Sequence, residues 1–136
     1  MNFALNPSVQ TAPVIGFFVF FTVKHLMADY MLQTAAMVAG KEAARQWLLP
    51  LSIHASIHAG GTFLLVIVTA PALWWLAPAD FLAHATIDRI KSVIGRRGGW
   101  RPKDYRFWWL HGADQAAHHL THFAFVLVLS GAVVLN

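Results

Sequence analysis

The chain has 136 residues, enough for one domain. It is 57% hydrophobic and only 12% charged, with a mean hydropathy of +0.53 and a formal net charge of +4. An ordinary soluble domain carries about twice that share of charge. The composition therefore excludes a typical water-soluble globule and fits one small polytopic membrane domain spanning residues 1–136. Cysteine is absent, which excludes disulfides and thiolate ligands; any metal must be held by nitrogen and oxygen.

The expected fold is all-α, an integral membrane four-helix bundle with short loops. No Lys or Arg precedes Lys24, and the first apolar run leads straight into KHLMADY, so the first helix is read as retained rather than cleaved. That first span covers about Pro13 to Val38, with Gly40 as its stop. A polar break carrying Lys41 and Arg45 follows. The second span covers about Gln46 to Ala70. Pro71 and Pro78 bracket a turn with Trp74 and Trp75. The third span, residues 79–94, gives only about 24 Å of helix at the α-helical rise, short of a full crossing. The stretch GRRGGWRPKDYRFWW reads as a basic and aromatic interfacial loop, its Trp100, Tyr105, Phe107, Trp108 and Trp109 suiting a membrane belt. The fourth span covers about Ala113 to Leu135.

Basic residues are concentrated at the two polar breaks. The second break holds Arg89, Lys91, Arg96, Arg97, Arg101, Lys103 and Arg106, while the last thirty residues hold none. The positive-inside rule then makes both breaks cytoplasmic and both termini periplasmic in a bacterial inner membrane. The basic loop meets anionic lipid headgroups; no nucleic-acid partner is expected from a loop of this kind alone.

The chemical signal is a spacing. His or Asp recurs four residues apart at His25/Asp29, His54/His58, Asp80/His84, His84/Asp88, Asp114/His118 and His118/His122. Chance gives roughly one such pair in a chain of this composition, counted against the helical template. Residues four apart share a helix face, and ionisable groups in apolar spans are costly and usually functional. With alternating helix direction, His25/Asp29, His54/His58, His84/Asp88 and Asp114/His118/His122 all fall in the cytoplasmic half of the membrane.

Four-helix bundles build metal sites from such inward-facing side chains. His25, Asp29, His54, His58, His84, Asp88, Asp114 and His118, with His122 in reserve, exceed the needs of one ion and suit two. The nitrogen and oxygen mix fits zinc, iron or manganese. Haem would need one axial His per helix and leaves the Asp partners without a role. Gln33 and Gln115 flank the ligands as hydrogen-bonding groups for ligands or substrate. Lys24 pairs with a carboxylate or meets an anionic substrate, and Lys91 holds a phosphate or carboxylate. His111 and His119 lie off the main stripes. Gly60 and Gly61 read as close-packing positions.

The stretches KHLMADYMLQT, HASIH, HATIDRIK and DQAAHHLTH together resemble a family of small bacterial inner-membrane proteins of unknown function, over about residues 17–125. That resemblance implies a four-span membrane fold and no particular activity. More loosely, the pattern is similar to small membrane-bound metal-dependent hydrolases, and HHLTH is locally similar to the histidine clusters of membrane di-iron desaturases and hydroxylases.

The leading expectation is a dinuclear metal-dependent hydrolase acting on a lipid or amphiphilic anionic substrate at the cytoplasmic leaflet. The alternatives are a membrane di-iron oxidoreductase and a non-enzymatic metal-binding transporter or accessory subunit. A transport path through so few spans would require a homo-oligomer.

Overall fold

The computed structural model describes residues 11–134. The expected end of the last span at Leu135, and the outer ends of both termini, lie outside these residues. The described chain is all-helical. Helix α1 (Thr11–Leu26) runs into a π-helical turn at Met27–Met31; α2 (Ala35–Glu42), α3 (Leu48–Thr69), α4 (Leu76–Gly98) and α5 (Tyr105–Val134) follow, with a 3₁₀ turn at Pro71–Leu73 between α3 and α4.

Among the described residues five α-helices are thus present in place of the expected four. The first predicted span is two helices because the chain breaks at residues 32–34. The Leu32 N–H donates to the Met27 carbonyl at 2.9 Å, an i→i+5 bond that widens the last turn. Thr34 then caps a new helix, its hydroxyl accepting from the Met37 N–H at 3.2 Å. Gly40 lies inside α2 rather than ending a helix. A Cβ there would sit 2.5 Å from Pro50 Cγ, so glycine is what lets α2 lie against the start of α3. The pyrrolidine ring has no rotamer by which to retreat. Gly40→Ala is therefore expected to cost about 1–3 kcal/mol, the usual range for overpacking, measured as a lowered unfolding midpoint in detergent.

The third segment is longer than its apolar pattern indicates. Helix α4 has 23 residues, about 34 Å at the α-helical rise. Pro78 falls in its first turn, where a missing N–H removes no intrahelical bond. Gly99 closes the helix at φ 62°, with its N–H on the Arg96 carbonyl at 3.2 Å. The expected basic and aromatic loop is likewise mostly helical. Arg89, Lys91, Arg96 and Arg97 lie on α4, and Tyr105 through Trp109 begin α5. In the short connection, the Asp104 carboxylate accepts the Arg101 N–H at 2.8 Å. Trp108 Nε1 donates to the Pro102 carbonyl at 2.8 Å.

Among the described residues three stretches are long and apolar enough to cross a membrane: Thr11–Met31, Leu48–Thr69 and Tyr105–Val133. Helix α4 is not among them; charge, not length, separates it.

Helices α1, α3, α4 and α5 touch in cyclic order, and α2 packs across α3 and α4. The interior they enclose has two levels. At one end Phe17, Phe21, Val66, Leu76, Phe125, Val126 and Leu129 form an apolar core. At the other end the buried polar side chains include Lys24, Lys41, six histidines, Thr62, Asp80, Asp88, Ser92 and Asp114. The outer surface is apolar, with Phe18, Val19, Leu49, Leu64, Val68, Leu82, Trp109 and Leu120 at least half exposed. Such a large apolar exterior requires an apolar partner phase. In lipid, moving these residues inward yields little transfer energy, so close packing and interior polar bonds hold the helices together.

Candidate metal centre

The pairs four apart do what their spacing requires: each projects from one face into the same interior. His25 comes from the end of α1 and Asp29 from the π turn. His54 and His58 come from α3, His84 and Asp88 from α4, and Asp114, His118 and His122 from α5. The structure brings all nine predicted ligands to one end of the helices. The six histidines are buried, and only Asp29 among the carboxylates is partly accessible.

Their rings are tightly gathered. His84 stacks on His58 with centroids 3.6 Å apart, and lies 4.1 Å from His118. His25 has His58, His118 and His122 within 5.5 Å. Asp29 ties α1 to α3: its Oδ1 is 3.0 Å from His58 Nε2 and 3.2 Å from His54 Nε2, and its Oδ2 is 3.3 Å from His25 Nε2. His54 Nε2 meets His84 Nε2 at 3.0 Å. Asp88 stands 3.5 Å from His54, 3.7 Å from His84 and 3.8 Å from His118.

Three groups have donor atoms within 4.8 Å of one another and can each hold a metal ion: Asp29/His54/His58/His84, His25/His58/His122 and His84/Asp88/His118. The first offers four donors in the mix that suits zinc or a first-row metal. The other two share no residue with each other. His118 Nδ1 donates to the Asp114 carbonyl at 2.9 Å, which leaves its buried Nε2 without a hydrogen-bond partner and aimed at Asp88, 3.8 Å away. A backbone carbonyl commonly fixes a ligating imidazole in this way. The Nδ1 atoms of His25, His54, His58, His84 and His122 are also buried without a hydrogen-bond partner. Unsatisfied buried polar atoms are costly and call for a missing partner; an ion that reorients the rings is one chemical answer.

The lysines separate the carboxylates into two kinds. Lys24 Nζ lies 2.6 Å from Asp80 Oδ2, and Lys41 Nζ lies 2.6 Å from Asp88 Oδ2. Lys91 Nζ stands 3.5 Å from Asp114 Oδ2. Asp29 has only imidazoles at ion-pair distance among the described residues. It is accordingly the carboxylate most in need of a cation. Lys24 also reaches Thr62 Oγ1 at 3.0 Å, the His58 carbonyl at 3.3 Å and His122 Nε2 at 3.3 Å. An ammonium has three protons, so these four acceptors exceed its donors. It can release His122 to an ion and remain satisfied. Gly61 makes room for its stem, since a Cβ there would lie 2.9 Å from Lys24 Cγ and Cδ.

Gln115 Oε1 sits 3.1 Å from His25 Nε2, and its Nε2 donates to Asp114 at 3.2 Å. Gln33 bonds the Asp29 carbonyl at 3.0 Å, keeping its own Oε1 without a partner. Both glutamines, with Asp29, Asp88, Asp114, Lys41, Lys91 and His111, line a cavity of about 90 Å³ that leads from the cluster to the surface. His119 is exposed, though its ring lies 5.2 Å from that of His25.

Sequence reasoning misses three members of this interior. Asp80 is visible as the partner of His84 four residues on, yet it pairs with Lys24 at 2.6 Å and stands 3.4 Å from His122 instead of facing His84. Thr62 gives no signal beyond continuing the His54/His58 stripe by four. Lys41 reads as a topological charge and is a buried counter-ion.

The molecule is thus an all-helical protein with membrane-length apolar helices around a buried His/Asp cluster able to hold a metal ion. The chain belongs to the family described as "Protein of unknown function (DUF3307)", which matches residues 17–136. No curated relative and no solved structure matches the chain.

Proposed function

We propose that the protein is a four-span membrane metalloenzyme, most simply a dinuclear hydrolase acting on a lipid or amphiphilic anionic substrate at the cytoplasmic leaflet. The observation that carries this reading is the cluster itself: six buried imidazoles with orphaned ring nitrogens, gathered about Asp29 and Asp88, which also line a small polar cavity. Helix α4 fits a crossing despite its charge. Asp80, His84, Asp88 and Ser92 form a buried stripe at intervals of four, while Leu82, Ile90 and Ile94 face outward. The remaining basic side chains, Arg45 and those from Arg89 to Arg106, gather near the cavity end, which the positive-inside rule assigns to the cytoplasm.

Two ions, zinc, iron or manganese, would occupy sets drawn from His25, His58 and His122 and from His84, Asp88 and His118. Asp29 and His54 lie between, and Asp114 positions His118. When bound, such ions supply Lewis acidity and an acidified water. The chain supplies the rest. Gln33 and Gln115 present carboxamides to the cavity, Lys91 stands at its mouth to steady an anion, and Lys24 stays behind the cluster as a fixed counter-ion. Between α1 and α3 an apolar cleft of about 450 Å³, lined by Phe20, Met27, Ile57 and Leu64, offers lateral space for a hydrocarbon chain.

Protein purified in detergent without added chelator is expected to carry at least about one equivalent of metal, and the His54→Ala/His58→Ala variant to lose most of it. Removing metal from the native protein should lower its unfolding midpoint, because an ion at about 100 times its dissociation constant adds about 2.7 kcal/mol. Substoichiometric metal that the double variant does not change would refute the proposal. Iron with an optical signature and dioxygen consumption would transfer it to an oxidoreductase.

A further inference from the structure

A second recess adjoins the metal cavity. Where α4 ends and α5 begins, about 300 Å³ is enclosed by Lys91, Arg96, Trp100, Arg101, Phe107 and the Glu42 end of α2. That volume is at the lower end of small-molecule sites. Lys91 and Glu42 line both this recess and the 90 Å³ cavity, so the two spaces meet at the Lys91 side chain. Three cations and one carboxylate, Glu42, line the recess, and Lys91 also stands 3.5 Å from Asp114 on its cavity side. Arg96 is held in place by donating Nη1 to the Glu42 carbonyl at 2.6 Å, which leaves most of its guanidinium donors available. Among the described residues neither Arg96 nor Arg101 is in an ion pair. Arg101 is exposed, and its backbone, not its side chain, is tied to Asp104. Trp100 and Phe107 supply an apolar wall at the level where aromatic residues meet the membrane interface.

Two guanidinium forks and an ammonium lining one recess are the chemistry of phosphate recognition. We infer that this recess seats a phosphate ester group, with Lys91 between that phosphate and the metal cluster. The inference deepens the hydrolase reading by naming the substrate's anionic group, and rests on that reading for any chemistry after binding; the recess does not depend on metal. The phosphate can belong to a lipid headgroup or be free.

The test is a titration of the purified full chain in detergent, monitored by tryptophan fluorescence, with inorganic phosphate and with a short-chain phosphatidic acid as probes. Saturable binding is expected, weakened about tenfold or more by Arg101→Gln and by Lys91→Gln, in line with loss of one charge-assisted bond. Lys103→Gln, whose residue does not line the recess, should change it less than about twofold, within the scatter of distant surface charges. Binding of both probes assigns the site to the phosphate group; binding of the lipid alone assigns it to a headgroup. No binding of either probe, or equal weakening by Lys103→Gln and Arg101→Gln, overturns the inference. The His54→Ala/His58→Ala variant is titrated in parallel. Retained, Arg101-dependent binding there keeps the recess even if the metal reading fails. Full metal content in Arg101→Gln without phosphate binding to the native chain does the reverse.

Discussion

Replacing Lys24 by methionine is expected to destabilise the protein by about 3–5 kcal/mol, the cost of leaving one buried charge without its partner. Lys24 Nζ is 2.6 Å from Asp80 Oδ2, and both side chains are buried. Without the ammonium, Asp80 keeps only the Thr62 hydroxyl and His122 as close partners. Neither carries a fixed positive charge. Asp80→Leu alone should be comparably costly, because it strands the ammonium instead. The double variant Lys24→Met/Asp80→Leu removes both charges together and should recover most of the loss, since apolar replacement of a buried pair is often neutral or stabilising. Unfolding of the four proteins in one detergent closes the cycle. A Lys24→Met variant within about 1 kcal/mol of wild type would show that the pair is solvated and not a buried one. The His58 carbonyl and Thr62 also lose a donor, so the recovery is expected to be incomplete by about 1 kcal/mol.

The His/Asp cluster is more legible in the sequence than the fold around it. A gap of four is a statement about one helix face, and it holds because His54, His58, His84, Asp88, Asp114 and His118 each lie in regular α-helix. Convergence comes from alternating helix direction, which needs no knowledge of side-chain contacts. The fold boundaries fail where tertiary structure overrides local pattern. The apolar period runs on from α1 through Met31, and an i→i+5 turn leaves no periodic trace. Thr34 before Ala35 is a legible cap, outweighed by the continuous hydrophobicity around it. Pro78 reads as a boundary because a proline that begins a helix and one that ends it are the same residue. Lys41 shows a deeper limit. Its sequence neighbours, Gly40 and Glu42, place it in a polar break, and only the packing of α2 on α4 buries it against Asp88. Function is affected too: of the three candidate ligand carboxylates, Asp88 and Asp114 each have a lysine beside them, which leaves Asp29 as the anion most available to a metal.

His84→Asn is expected to remove more metal than any other single histidine substitution except His58→Asn. His84 belongs to two of the three donor groups, whereas His25, His54, His118 and His122 each belong to one. Its Nε2 lies 3.0 Å from His54 Nε2 and 3.7 Å from Asp88 Oδ2, and its ring is 4.1 Å from that of His118, which sets it between the α3 and α5 donors. Loss of an outer partner of a ligand costs about 10–100-fold in metal affinity; loss of a ligand shared by two sets should cost at least about 100-fold. His122→Asn leaves the four-donor group and the His84/Asp88/His118 group untouched, so it should retain at least about one ion, with a loss near the lower end of that range. Asparagine keeps a polar side chain in the polar interior and limits the void left by the ring, which separates ligation from packing. Competition with a chelator of known affinity, on preparations matched for secondary structure, gives the order. Equal affinities for wild type, His84→Asn and His122→Asn would mean that the gathered imidazoles hold one another and not a metal. In that case the orphaned ring nitrogens would be satisfied by ordered water, and the interior would be a hydrogen-bonded polar core inside an apolar coat.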